Sequence, residues 1–184
     1  MKPRLIEKYR NEIVPKMMKD FGLKSPMAVP RLEKIVVNMG VGEALQDIKI
    51  LEKAMDELGQ ITGQKPIMRR AKKAISNFKI KENNPVGCKV TLRKAIMYEF
   101  FDRLVSVALP RIRDFRGVKP NAFDKAGNYT LGLTEQTIFP EIESDRAGNR
   151  TQGMDITFVI KNSKSDEMSR SLLRLFGVPF QVKE

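Results

Sequence analysis

The stretch Lys34-Ile35-Val36-Val37-Asn38-Met39-Gly40-Val41-Gly42-Glu43-Ala44 reads as a β-strand that runs into a tight turn. Leu32 to Met39 is rich in β-branched residues, and two glycines follow. Side chains two apart share a face of a strand. Lys34, Val36, Asn38 and Gly40 therefore fall on one side, and Ile35, Val37 and Met39 on the other. Residues 86–93 repeat the design: Cys88, Val90 and Leu92 share one face, and Lys89, Thr91 and Arg93 the other. A third strand is predicted over 64–70, with Gln64, Met68 and Arg70 on one side. Together these strands give one mixed polar and basic sheet face.

The elements around the strands follow from helical spacing. Ile48, Leu51, Ala54, Met55, Leu58 and Ile61 form one apolar stripe, which predicts a helix over 48–61 that packs on the sheet. Residues 95–109 form the most apolar helix, a central buried one, stopped by Pro110. At the start, Leu5, Ile6, Tyr9, Ile13 and Met17 recur at helical spacing over residues 1–22, and Pro15 is expected to divide them into two short helices. Tyr129 to Leu133 and Met154 to Ile160 read as further strands. Ser165 is placed to cap a last helix whose first turn holds Asp166 and Glu167. The 110–150 region reads as a long, partner-facing connection, with an Asp124-Lys125-Ala126-Gly127 turn and an acidic part containing Glu143 and Asp145.

Charge is concentrated in the middle of the chain. Between Glu57 and Glu99 lie ten Lys and Arg and one acid, Glu82, a net +9 out of +12 for all 184 residues. A field of one sign on a limited surface attracts a polyanion and releases its counterions on contact. Nucleic acid is the expected partner. Scattered charges ordinarily mark a solvated sheet face, but 58–81 contains no acid to balance them.

Composition excludes several other chemistries. The chain has no His and a single cysteine, Cys88, so an internal disulfide, a Cys/His metal cluster and a His-based triad cannot be built. No cofactor is expected. A hydrophobic fraction of 41% supports one folded core over 1–184 rather than a disordered basic tail. The charged start and the lack of 18 consecutive apolar residues point to a soluble, cytoplasmic chain with no membrane partner.

Residues 69–85 carry the sharpest local signal. Arg69 to Lys81 has six positive charges, no acid and one aromatic, Phe78, as a protruding finger that grips an RNA backbone would. Phe78 either stacks on a base or plugs the loop against the core with Ile75 and Ile80, and the plug is the expected role. Arg111, Arg113 and Arg116 are open to RNA, to an acidic partner face or to local pairing with Asp114 and the acidic 135–145 segment. Gly40-Val41-Gly42 invites comparison with a dinucleotide-binding turn, but Leu45 stands where a third small residue belongs. A nucleotide-dependent enzyme using that turn and Glu43 is therefore the weaker alternative. A general single-strand binder would carry more stacking aromatics than the 7% present.

Seven ordered blocks resemble the bacterial ribosomal protein L5 family over nearly the whole chain. They are residues 34–44, Ala74-Ile75-Ser76-Asn77-Phe78-Lys79, Gly87 to Arg93, Leu109 to Gly117, Gly127-Asn128-Tyr129, Ile138-Phe139-Pro140-Glu141-Ile142 and Gly153-Met154-Asp155-Ile156-Thr157. The chain departs from the family pattern at Ile160-Lys161-Asn162-Ser163, where a small, Thr-rich strand end is usual. The resemblance implies a two-layer α+β fold, a mostly antiparallel sheet with helices on one face and long functional loops. It implies a non-catalytic protein of the large ribosomal subunit that binds 5S rRNA in the central protuberance beside neighbouring proteins. It also implies contact with 23S rRNA, peptidyl-site tRNA and the small-subunit head protein S-thirteen. Carried onto this sequence, Asn38, Gln64 and Thr91, flanked by Lys34, Arg70, Lys89 and Arg93, are the expected 5S rRNA contacts. Lys72, Lys73, Ser76 and Asn77 are the expected tRNA-facing residues, and Arg111, Arg113, Arg116, Glu143 and Asp145 the bridge side.

Overall fold

The computed structural model describes residues 3–142 and 151–181. Five strands form an open antiparallel sheet in the order β2-β3-β1-β5-β4. They are β1 (Arg31–Gly40), β2 (Ile67–Arg70), β3 (Pro85–Leu92), β4 (Tyr129–Leu133) and β5 (Met154–Lys161). The helices are α1 (Arg4–Lys8), α2 (Val14–Asp20), α3 (Ile48–Thr62), α4 (Lys94–Arg103) and α5 (Asp166–Leu175). The fold is the expected α+β, two-layer arrangement.

Alternation explains why only one sheet face is covered. Ile35, Val37 and Met39 of β1, Cys88, Val90 and Leu92 of β3, and Met154, Ile156, Phe158 and Ile160 of β5 are all buried. Their neighbours Asn38, Asp155 and Lys161 are exposed, and Lys34, Lys89, Thr91 and Thr157 are half-exposed. Each apolar side chain taken fully from water stabilises the fold by about 1.5–3 kcal/mol, so a slip of one residue in register would forfeit a whole row.

The chain forms two compact units, Met1–Ile35 with Arg93–Leu131 and Thr157–Glu184, and Val36–Leu92 with Gly132–Ile156. In the first, rings make a continuous core: Phe101 meets Phe158 edge-on at 5.3 Å and Phe176 at 5.5 Å, and Tyr129 lies 6.1 Å from Phe158. Arg4 clamps Asp102 with two hydrogen bonds, from Nε at 2.5 Å and Nη2 at 2.6 Å. That contact holds the Asp102 carboxyl below its ordinary range. Ser165 caps α5 as expected, its Oγ accepting from the Met168 amide at 3.3 Å.

Two expectations for this unit need correction. Pro15 does not divide the N-terminal segment: α1 passes through a π-helical stretch, Tyr9–Ile13, straight into α2. Pro15 stands just after the π stretch, whose wider turn accommodates the proline within the continuous helix. Nor is the connection after Pro110 structureless. The chain continues from α4 through a π stretch, Leu104–Ala108, and a 3₁₀ turn, Leu109–Arg111. Then Val118 pairs with the C-terminal segment, donating to the Pro179 carbonyl and accepting from the Gln181 amide. Tyr129 donates to the Lys119 carbonyl at 2.7 Å, Arg170 to that of Pro120 at 2.9 Å and Ser169 to that of Gly127 at 2.7 Å. The Asp124 turn forms as predicted, its carboxylate accepting from Ala126 and Asn128.

In the second unit α3 packs on β3, burying Leu51, Ala54, Leu58 and Ile61. Asp47 caps its start and Gly63, with φ of +69°, ends it. Gly87 is required by close packing: a Cβ there would run into the Met39 carbonyl oxygen and lie 3.3 Å from the Gly40 Cα. Gly87→Ala should therefore force β1 and β3 apart and destabilise the protein by about 1–3 kcal/mol. Chemical denaturation reads this directly; an unchanged midpoint would show that the strands yield freely.

Candidate nucleic-acid interface

The open face of the second unit is built on the β2–β3 pair. The register sets Ile67 opposite Lys89, Met68 opposite Cys88 and Arg69 opposite Gly87, with a shift before Arg70 meets Pro85. Met68 thus follows Cys88 to the apolar side, while Ile67 and Arg69 share the open side with Lys89. Gln64 lies outside β2, in the turn after α3, because Gly63 ends the helix and Pro66 delays the strand. The predicted alternation over 64–70 consequently fails. Arg70 instead turns to the base of the finger, where its Nη1 donates to the Asn83 carbonyl at 3.2 Å.

A groove of about 210 Å³ results, lined by Gln64, Lys65, Ile67, Arg69, Lys89 and Thr91 with Val90. Gln64 Nε2 donates to the Thr91 carbonyl at 3.4 Å, which leaves the amide oxygen and the Thr91 hydroxyl for a ligand. The groove holds three cations and no acid. Asn38 stands exposed on the same face of β1, and among the described residues its amide makes no side-chain bond. Cationic groups beside unspent amides and hydroxyls suit phosphates, ribose hydroxyls and base edges. Sequence reasoning missed Lys65 and Arg69 as members; the bulge that selects Arg69 over Arg70 has no local signature.

At the end of β1 the open face is smooth. A Cβ at Gly40 or Gly42 would meet nothing within 4 Å, and neither has a positive φ. The Gly40 carbonyl accepts from Gln152 Nε2 at 2.8 Å. The turn leads into a 3₁₀ segment, Gly42–Leu45, and the sheet is antiparallel, without the parallel βαβ unit a dinucleotide fingerprint needs. In the first unit, Lys34 is half-buried, and Arg93 lies just past β3 as the N-cap residue of α4. The Arg93 guanidinium is 3.8 Å from the Glu33 carboxylate.

The finger is an ordered hairpin. The Ala71 amide donates to the Asn84 carbonyl at 2.9 Å, the Asn83 amide to that of Ala71 at 3.0 Å, and Ile75 and Ile80 exchange both backbone bonds. Ser76–Phe78 makes a 3₁₀ turn, and Lys79 follows in the left-handed region at φ of +54°. Lys72, Lys73, Ser76 and Asn77 are all exposed. Phe78 does not plug the loop: it is 69% exposed, and Ile75 is 45% exposed. The hairpin closes through its backbone, so no apolar anchor is needed and the ring is left in water.

Arg111, Arg113 and Arg116 are exposed in the first unit, with Arg113 Nε 3.9 Å from the Asp114 carboxylate in an almost fully exposed pair. Glu143 and Asp145 lie outside the described residues. Cys88 is buried on the apolar face and its thiol is pushed up to about 11 by burial, which makes it a core residue. Among the described residues no group of three or more His, Cys, Asp or Glu is placed to hold a metal ion. No helix among them is long and apolar enough to cross a membrane.

Comparison with known proteins gives the chain a family. Residues 25–81 match the family described as ribosomal protein L5, and residues 85–180 the ribosomal L5P family C-terminus. The chain belongs to the ribosomal protein L5 family. It is 59% identical over 177 residues to the large ribosomal subunit protein uL5 of Clostridium beijerinckii, covering 96% of this chain and 98% of that protein. The uL5 proteins of Clostridium tetani and Clostridium acetobutylicum are 58% and 57% identical over 180 residues, covering 98% of this chain and 99% of each.

The groove separates neighbouring arginines. Arg69→Gln and Lys89→Gln should each weaken RNA binding and lower the slope of log affinity against log salt by about one unit. Arg70→Gln should change both much less. Asn38→Ala should cost affinity at an unchanged slope, and none should shift the melting temperature. Filter binding across a salt series measures all four; an Arg70 effect equal to that of Arg69 would contradict the register.

Proposed function

We propose that this chain, a structural constituent of the large ribosomal subunit and not an enzyme, binds 5S rRNA on the open face of its sheet. Membership of the L5 family carries the coarser part of that statement. The groove between Gln64, Arg69, Lys89 and Thr91, with Asn38 unengaged beside it, is the observation that supports the finer part. On this reading Asn38, Gln64 and Thr91 contact base edges and 2′-hydroxyls, while Lys65, Arg69 and Lys89 contact phosphates. Lys34 and Arg93 contribute charge, and Arg70 shapes the finger.

The same reading has the protein help anchor 5S rRNA in the central protuberance, against 23S rRNA and neighbouring proteins. The finger, with Lys72, Lys73, Ser76 and Asn77, reaches peptidyl-site tRNA. The exposed Arg111, Arg113 and Arg116, with Glu143 and Asp145, face small-subunit head protein S-thirteen across an intersubunit bridge. Two physical regimes serve these partners. A rigid face suits a permanently held RNA, and a projecting hairpin suits a ligand that comes and goes.

A gel-shift titration of 5S rRNA against an unrelated RNA of equal length, at two salt concentrations, tests the reading. The expected result is tighter binding of 5S rRNA at both, with a ratio that survives the salt increase while both affinities fall. Equal binding of the two RNAs would reduce the face to generic basicity.

A further inference from the structure

We infer that Phe78 is a base-stacking residue: the tip of the finger takes an unpaired nucleobase on the exposed phenyl face, with the surrounding lysines on the flanking phosphates. This inference rests on reading the finger as RNA-facing, and names the chemistry of its ligand. A phenylalanine left 69% exposed forgoes most of the stabilisation that burial would give it. Nothing in the hairpin requires it there, because the closing bonds run through the backbones of Ala71, Ile75, Ile80, Asn83 and Asn84. Among the described residues no ring or cation is stacked on it. The turn holds the ring in place: Ser76–Phe78 is one 3₁₀ turn, and Lys79, a non-glycine in the left-handed region, reverses the chain behind it.

Charge selects the occupant. Lys72, Lys73, Lys79 and Lys81 are exposed around the tip, and the single acid between residues 58 and 98 is Glu82. A protein partner offering an apolar pocket would have to carry a matching acidic rim. A nucleic acid offers an apolar ring face and phosphates at the spacing of one residue. A fully paired duplex conceals its ring faces within the stack, so the ligand is a loop, bulge or other unpaired nucleotide.

The chain contains no Trp, so Phe78→Trp introduces a single indole at the tip as a local reporter. The full-length variant is titrated with an RNA hairpin bearing an open loop and with a fully paired duplex of equal phosphate count. RNA anisotropy follows binding and the indole follows stacking. The expected result is strong quenching by the hairpin and little by the duplex. Phe78→Leu, which keeps apolar bulk without a π face, should bind the hairpin about five- to a hundredfold more weakly at an unchanged salt slope and melting temperature. An indole unmoved while the hairpin binds, equal quenching by the duplex, no hairpin binding, or a Phe78→Leu variant of wild-type affinity would each overturn the inference. An indole that responds to ribosomal proteins but not to RNA would also overturn it. Binding of 5S rRNA is read in the same preparations: if it holds while the indole is silent, the fingertip inference alone fails, and if it is lost in the wild type, the reading of the sheet face fails.

Discussion

Side chains along β1 and β3 alternate between an apolar row, which is buried, and a more exposed polar row. Leu51, Leu58 and Ile61 of α3 are buried in one unit, and the Phe101, Phe158 and Phe176 rings pack together in the other. Burial of that row fixes register, because any one-residue slip would carry Ile35, Val37 and Met39 to the solvent side. The polar row is thereby fixed as well. Asn38, Lys89 and Thr91 stand at set positions because the opposite side of each strand is packed, and Gly87 sharpens the arrangement by letting β1 and β3 approach closely.

A site built this way is ready for a folded polyanion. The cations around the groove have few local acids to neutralise them, so their attraction acts at long range and is spent on the partner. Specificity needs the positional accuracy of the uncharged groups, since phosphate contacts alone carry no sequence information. The finger solves a different problem: its backbone bonds define its shape while its side chains remain in water. The same chain thus offers a stiff platform and an extended probe.

Much of this was legible in the sequence. The rows of β1 and β3, the α3 stripe and the Ser165 cap are local patterns, and local patterns survive folding when burial agrees with them. Strand alternation puts Asn38 and Thr91 on the open face, whereas Gln64 follows only from the family resemblance, because it lies outside β2. What escaped depends on contacts distant in the chain. The register shift that sends Arg70 away from Lys89 is a property of two strands, and the tethers from Tyr129, Ser169 and Arg170 to the 110–128 connection come from residues up to 50 positions away. Pro15 does not break the helix because the π stretch before it absorbs the misfit, and Phe78 stays outside the core because the finger closes through its backbone.

The central claim is that the face bearing Lys65 and Lys89, not the helical layer, meets 5S rRNA. Lysine-reactive footprinting of the free and RNA-bound protein, read by mass spectrometry, tests it on one molecule with internal controls. The account predicts strong protection of Lys65 and Lys89 on binding, with the exposed Lys49 and Lys53 of α3 as reactive as before. Protection of the α3 lysines with Lys65 and Lys89 still open to the reagent would contradict it.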